Sequence, residues 1–289
     1  MISAPVRRSL AGSLRNKVAG PDGQQAAERI WGTEGERWFA PGDPIWRVHS
    51  DASMFTGGVR ALLLQSLHPL AMYGVAEHSG YQDDPWARVA STSTYIATTT
   101  FATIEHAEAA IAKVRSIHRH VRGTTPDGRA YSADDPRLLL WVHVAEIDSF
   151  LTTQQAFGRR PLTADEADTY VAQAAIPATR LGVEDAPRTV AELRATIEAY
   201  RPELEVTAPA RDAARLVLHE PPLSRWARPA YGCIATAAVA TLPAWARDMI
   251  GVRAGRFAMP IGRATTAAVA WVMTEPAVAA RAQRPATDT

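Results

Sequence analysis

Apolar residues recur along this chain at intervals of three and four, and no sustained stretch alternates with a period of two. The pattern predicts an all-α protein built as a single helical domain. Two helix starts are written out as Asp84-Pro85 and Asp135-Pro136. In each, the aspartate can accept orphan backbone N–H groups at the N-cap. The proline loses nothing at the first helical position, where its N–H would be unpaired anyway. The first helix is expected from Pro85 to about Thr100; its many threonines are modest helix formers, so tertiary contacts must hold it. The second is expected from Thr103 to Val121, stopped by Gly123 and the turn Pro126-Asp127-Gly128. The third begins at Pro136 and carries LLLWVHVAEIDSFL, apolar nearly all round, which predicts a helix at the centre of the core.

The flanks differ. Residues 1–26 are polar and contain glycine, and are expected to be poorly ordered; residues 277–289 read as a flexible tail. Residues 27–276 form the helical domain. The run Arg201 to Arg211, RPELEVTAPAR, is the best internal break and is short enough to be a loop. Pro229 to Ala246 carries no charge, yet Gly232 and Pro243 interrupt it and it barely reaches the length of a span, so it reads as a buried or interfacial helix.

Composition then narrows the partners. A formal net charge of +1 over 289 residues argues against nucleic acid, which calls for a basic surplus. One cysteine, Cys233, excludes an internal disulfide and a cysteine-based metal cage. No apolar stretch follows the arginines near the N-terminus, so the expected location is cytoplasmic, with peripheral membrane contact left open.

The candidate chemistry lies on the first three helices. On the second, Ala107, Ile111, Val114 and Val121 form an apolar stripe that His118 joins, whereas His120 points about 160° away by wheel arithmetic. An inward histidine is either a core residue bonded to a carbonyl or an axial ligand to haem iron. Arg88 and Thr92 share a face of the preceding helix. Either Arg88 pairs with Asp83 or Asp84 and Thr92 bonds back to a carbonyl, or the guanidinium serves bound oxygen or a haem propionate and the hydroxyl orders water. His143 and Glu146 sit one turn apart in the most apolar helix and read as a structural pair. A di-iron bundle would need Glu-x-x-His, which the chain lacks. His68 precedes a helix-breaking Pro69 and, with Trp141 and His143, is a candidate pocket-lining residue. There is no glycine-rich phosphate loop, nucleophile elbow or zinc spacing.

Four segments in this order, LLLQSLHPLAMYGVAEHS, DPWARVASTSTYI, VRSIHRHVRGTTPDGRAYSADDPRLLLWVH and PPL…RPAYG…LPAWAR, resemble the family of latex-clearing proteins (bacterial rubber oxygenases) and fungal MpaB-type oxygenases, over roughly Trp46 to Arg253. The resemblance implies a helical fold with a globin-like core holding haem b. It matches His118 to the axial histidine, and Arg88 with Thr92 to the Arg-x-x-x-Thr pair near the haem. It implies a haem-dependent oxygenase that inserts dioxygen into a hydrophobic, unsaturated small molecule, with C=C cleavage as one outcome. The alternative is a non-catalytic haem or lipid-binding helical protein. Rubber-cleaving members carry a lysine directly before the threonine. Here that position is Ser91, so distal ligation by lysine is absent and rubber is not the expected substrate.

Overall fold

The computed structural model describes Gly12, Gly20, residues 23–81 and residues 83–273. Thirteen α-helices are described, with one small hairpin. In chain order they are α1 (Gly23–Trp31), α2 (Pro44–His49), α3 (Met54–Gln65), α4 (Pro69–His78), α5 (Pro85–Phe101), α6 (Ile104–His118), α7 (Pro136–Phe157), α8 (Ala164–Leu181), α9 (Val190–Tyr200), α10 (Ala208–Leu218), α11 (Arg228–Thr241), α12 (Ala244–Ile250) and α13 (Ala258–Met273). The all-α class read from the periodicity holds.

The centre of the molecule is α7. Trp141, Val144, Ala145 and Ser149 on it keep no accessible surface, and α3, α9, α11 and α13 all pack around it. Its closest neighbour is α3, and Gly57 permits the approach: a β-carbon there would meet Thr153 Oγ1 at 2.8 Å and Phe150 Cδ1 at 2.9 Å. Three positions later Arg60, 2% exposed, fastens three helices together. It donates to Asp148 Oδ2 and Ser149 Oγ, each at 2.7 Å, and to the Thr241 carbonyl at 3.0 Å. Each of the three guanidinium nitrogens donates, which is how a buried charge is tolerated.

Both aspartate–proline starts cap as expected. Asp84 accepts from the Ala87 N–H at the head of α5, and Asp135 from the Arg137 N–H at the head of α7. Pro69 separates α3 from α4, with His68 at the N-cap. Thr163 and Glu166 close a capping box at the start of α8. The uncharged stretch from Pro229 breaks at Pro243 into α11 and α12, and among the described residues no helix is long and apolar enough to cross a membrane. The break at Arg201 to Arg211 is one 3-10 turn, Arg201–Glu203, and a short loop, after which α10 has already begun at Ala208.

Three expectations need correction. α1 begins at Gly23, so the last four residues of the segment 1–26 are helical; most of the rest of that segment, and all of the tail 277–289, lie outside the described residues. α6 ends at His118, three residues earlier than its apolar spacing suggests. The chain then forms an antiparallel hairpin, β1 (Arg122–Thr124) with β2 (Ala130–Ser132), in register Gly123↔Tyr131. Three-residue strands are too short to alternate visibly. Gly123 is not merely a stop: a β-carbon there would strike the Tyr131 ring.

Candidate functional site

Helices α5 and α6 pack on each other, and α6 also packs on α8, but neither α5 nor α6 makes more than marginal backbone contact with α7. The region between this pair and α7, the gap, is bridged at one end by α2, which touches α5, α7 and α8, while α4 packs on the hairpin and on α7.

The candidate residues Arg88, Thr92, His118 and His143 lie on α5, α6 and α7. Arg88, on the first turn of α5, is half-buried; burial lowers the pKa of its guanidinium, which nevertheless stays charged in water-based media. Among the described residues it has no ion pair, so the expected partners Asp83 and Asp84 are not used. The serine beside it does the back-bonding: Ser91 Oγ donates to the Arg88 carbonyl at 2.9 Å. Ser91 and Thr92 are both exposed.

His118 is the last residue of α6. Its Nδ1 is enclosed and has no hydrogen-bond partner among the described residues, so no carbonyl is bonded to that nitrogen there. Burial first, and then the nearby Arg88 charge, lower its pKa, against a smaller opposite pull from Asp134. The imidazole is thereby held neutral, the form that can bind a metal. The rest of the stripe also holds: Ala107 and Ile111 are buried, Val114 and Val121 half-buried, and His120 is exposed, bonded through Nδ1 to the Ser116 carbonyl at 2.8 Å. Arg88 and His118 are thus brought within electrostatic reach on adjacent helices.

On the facing wall, α7 presents His143 and Glu146. Burial lowers His143 to about 4 and raises Glu146 to about 7, the latter partly offset by the Gln65 amide. Both residues nevertheless retain accessible surface. Desolvation is the first cause of both shifts, although neither side chain is fully buried. They do not form the pair read from their spacing: no hydrogen bond joins them, and His143 Nε2 is enclosed without a partner. Tyr95, seven residues after Arg88 on the same face of α5, lies across from Glu146. Its hydroxyl pKa is raised by burial and then by that carboxyl.

The closed end is polar. His49 Nδ1 lies 2.7 Å from Thr100 Oγ1 and its Nε2 lies 3.4 Å from the Tyr170 hydroxyl; burial lowers His49 to about 3. These three residues come from α2, α5 and α8, so no local spacing could reveal them. Tyr95, by contrast, was findable by extending the Arg88–Thr92 face by one turn.

His68 and Trp141 are placed together but away from the gap. His68 packs on Trp141 and Tyr200, with Nε2 3.9 Å from Glu203, and neither His68 nor Trp141 keeps appreciable surface. They brace α7 from behind. Trp141 Nε1 donates to the Gln65 carbonyl at 3.1 Å, tying α7 to the end of α3. A surface depression of about 940 Å³ beside the loop Val183–Arg188 shares no residue with the gap and is open to solvent.

Neither a curated protein nor a solved structure matches the chain. The family model for the catalytic domain of the ER-bound oxygenase mpaB/B' and rubber oxygenase does, over residues 46–273. That span runs from α2 to the end of α13 and holds Arg88, His118, His143 and Glu146 together with the helices that wall the gap, and the chain therefore belongs to this family of oxygenase catalytic domains.

Proposed function

We propose that the protein is a haem-b-dependent oxygenase that inserts dioxygen into a hydrophobic, unsaturated small molecule, with cleavage of the C=C bond as one outcome. One observation carries the reading. A desolvated imidazole on α6 and a desolvated guanidinium on α5, neither with an ion pair or a side-chain hydrogen bond among the described residues, lie within electrostatic reach of each other. A buried cation with no acid beside it calls for an anion, and a buried imidazole with no hydrogen bond calls for a ligand. Haem fits both requirements: iron for His118, and a propionate or bound oxygen for Arg88.

His118 would hold the iron. The cofactor, when bound, supplies the oxygen chemistry. Arg88 stabilises negative charge in a site from which water is largely excluded, where a fixed cation acts far more strongly than in solution. Thr92, more open than Arg88, orders water at the mouth of the gap. The apolar packing around α7 keeps the position of this wall fixed. Ser91 offers only a hydroxyl where rubber-cleaving relatives have a lysine, and it is spent on the Arg88 carbonyl. This supports a small-molecule substrate rather than a polymer.

Oxygen uptake tests the reading. The haem-loaded protein is expected to consume dioxygen when given a medium-chain unsaturated lipid and to yield oxygenated products by mass spectrometry. Arg88→Met is expected to keep its haem band and lose most of the uptake. Bound haem with no uptake on any unsaturated probe would instead make the protein a non-catalytic haem binder.

A further inference from the structure

The α7 wall of the gap is more polar than a site for a pure hydrocarbon needs to be. Glu146 has no ion pair among the described residues; it is hydrogen-bonded to the Gln65 amide and lies within electrostatic reach of the Tyr95 and Tyr170 hydroxyls. His143 Nε2 is fully enclosed and has no hydrogen-bond partner among the described residues. Tyr95 reaches the same region from α5, and no hydrogen bond from its hydroxyl is described. Arg60 and Asp148, also near this part of α7, are already paired with each other, and Tyr170 is engaged with His49. His143, Tyr95 and Glu146 are thus set near one another from two helices, with the Gln65 amide as the one side-chain hydrogen-bond partner given for any of the three among the described residues. Buried polar groups are rarely left so, because desolvation without a hydrogen bond is unfavourable.

We infer that the substrate carries one uncharged hydrogen-bonding group, a hydroxyl or a carbonyl, which is buried against Glu146, His143 and Tyr95 while its unsaturated chain extends towards Arg88 and His118. The inference rests on the gap being the substrate site of the proposed oxygenase, and it narrows the substrate class. A carboxylate does not suit the position, since it would meet Glu146 in a desolvated place. An ammonium does not suit it either, because the same surroundings suppress the cationic form of His143 and Arg88 shares the gap. A hydroxyl can donate to Glu146 or His143 and accept from Tyr95; a carbonyl can accept from Tyr95 or from a protonated Glu146. A site built this way rejects an analogue that lacks the polar group, because its own donors and acceptors are then left unpaired.

Isothermal titration calorimetry with two probes tests this: a medium-chain cis-alkenol, and the cis-alkene in which a methyl group replaces the hydroxyl. The protein is used as purified, with its haem content measured on the same sample. The alcohol is expected to bind about tenfold to a hundredfold tighter, the value of one or two hydrogen bonds to buried groups. In His143→Leu and Glu146→Leu, each checked for an unchanged far-ultraviolet circular dichroism spectrum, that ratio is expected to fall towards one. Equal affinity for both probes in the unmodified protein overturns the inference, as does failure of both to bind. An unchanged ratio in both variants overturns it as well. Loss of the haem spectrum in His143→Leu would make His143 an iron ligand and remove it from substrate recognition. Haem and substrate readings fail separately. A colourless protein that still prefers the alcohol defeats only the cofactor assignment, and a haem-loaded protein with no preference defeats only the inference.

Discussion

Replacing Glu146 by glutamine tests whether the α7 wall is as desolvated as the fold implies. The side chains are nearly isosteric, so packing is preserved and only the titration is removed. Burial raises the Glu146 carboxyl from 4.5 to about 7. Between those values the folded chain keeps a proton that the unfolded chain has released. Stability contributed by this group therefore falls as pH rises through the window. Below about pH 4.5 the penalty is absent. Above pH 7 it levels off at about 3 kcal/mol, taking about 1.4 kcal/mol for each tenfold difference in proton affinity. Two buried histidines slope the other way. His143, lowered to about 4, and His49, lowered to about 3, are protonated more readily in the unfolded chain, so their contribution to stability rises with pH up to about 6.5. The unmodified protein alone would mix these slopes. The difference between Glu146→Gln and the unmodified protein cancels the histidines and leaves the glutamate. Urea unfolding followed by circular dichroism at about pH 5 and about pH 8 is expected to show the variant gaining about 2–3 kcal/mol relative to the unmodified protein between the two conditions. A difference that does not change with pH would mean that Glu146 titrates as an ordinary solvated carboxyl, and the internal space would then be open to bulk water.

Other perturbations read the scaffold that holds this wall. Arg60→Met strips the Asp148 carboxylate, the Ser149 hydroxyl and the Thr241 carbonyl of their shared partner and is expected to lose about 3–5 kcal/mol in denaturant unfolding. The adjacent glycines of α3 should part company under alanine substitution. Gly57→Ala drives a methyl into Thr153 and Phe150 and is expected to lose about 1–3 kcal/mol, while Gly58→Ala meets nothing within 4 Å and is expected to be neutral or to gain up to about 1 kcal/mol. Thr163→Ala removes one half of the capping box of α8 and is expected to lower stability by about 1 kcal/mol, measurable as a shift of the urea midpoint at unchanged slope.

Much of the site was legible because it obeys local rules. The two aspartate–proline caps fix where α5 and α7 begin, and with them the faces that carry Arg88, Thr92, Tyr95, His143 and Glu146. The apolar stripe of α6 singled out His118 over His120 because two residues, about half a helical turn, are enough to separate an inward from an outward side chain. Spacing failed where partners come from elsewhere in the chain. His143 and Glu146 stand at a distance that permits contact, yet the desolvated gap faces them separately. His68 and Trp141 each sit in an apolar run of the sequence but pack together against Tyr200, far downstream of both in a helix whose placement no local pattern states. The His49–Thr100–Tyr170 cluster has the same origin. The hairpin was missed because three residues per strand, one of them glycine, carry too little periodicity to register.

The visible absorption spectrum, with a pyridine haemochrome assay, of the protein purified from haem-sufficient cells tests the central claim most directly. The unmodified protein is expected to show a Soret band and close to one haem per chain, and His118→Ala, with an unchanged circular dichroism spectrum, is expected to lose or strongly perturb that band. A colourless protein that also fails to take up added haem, or a His118→Ala variant with an unaltered haem spectrum, would contradict the assignment of His118 as the residue that holds the iron.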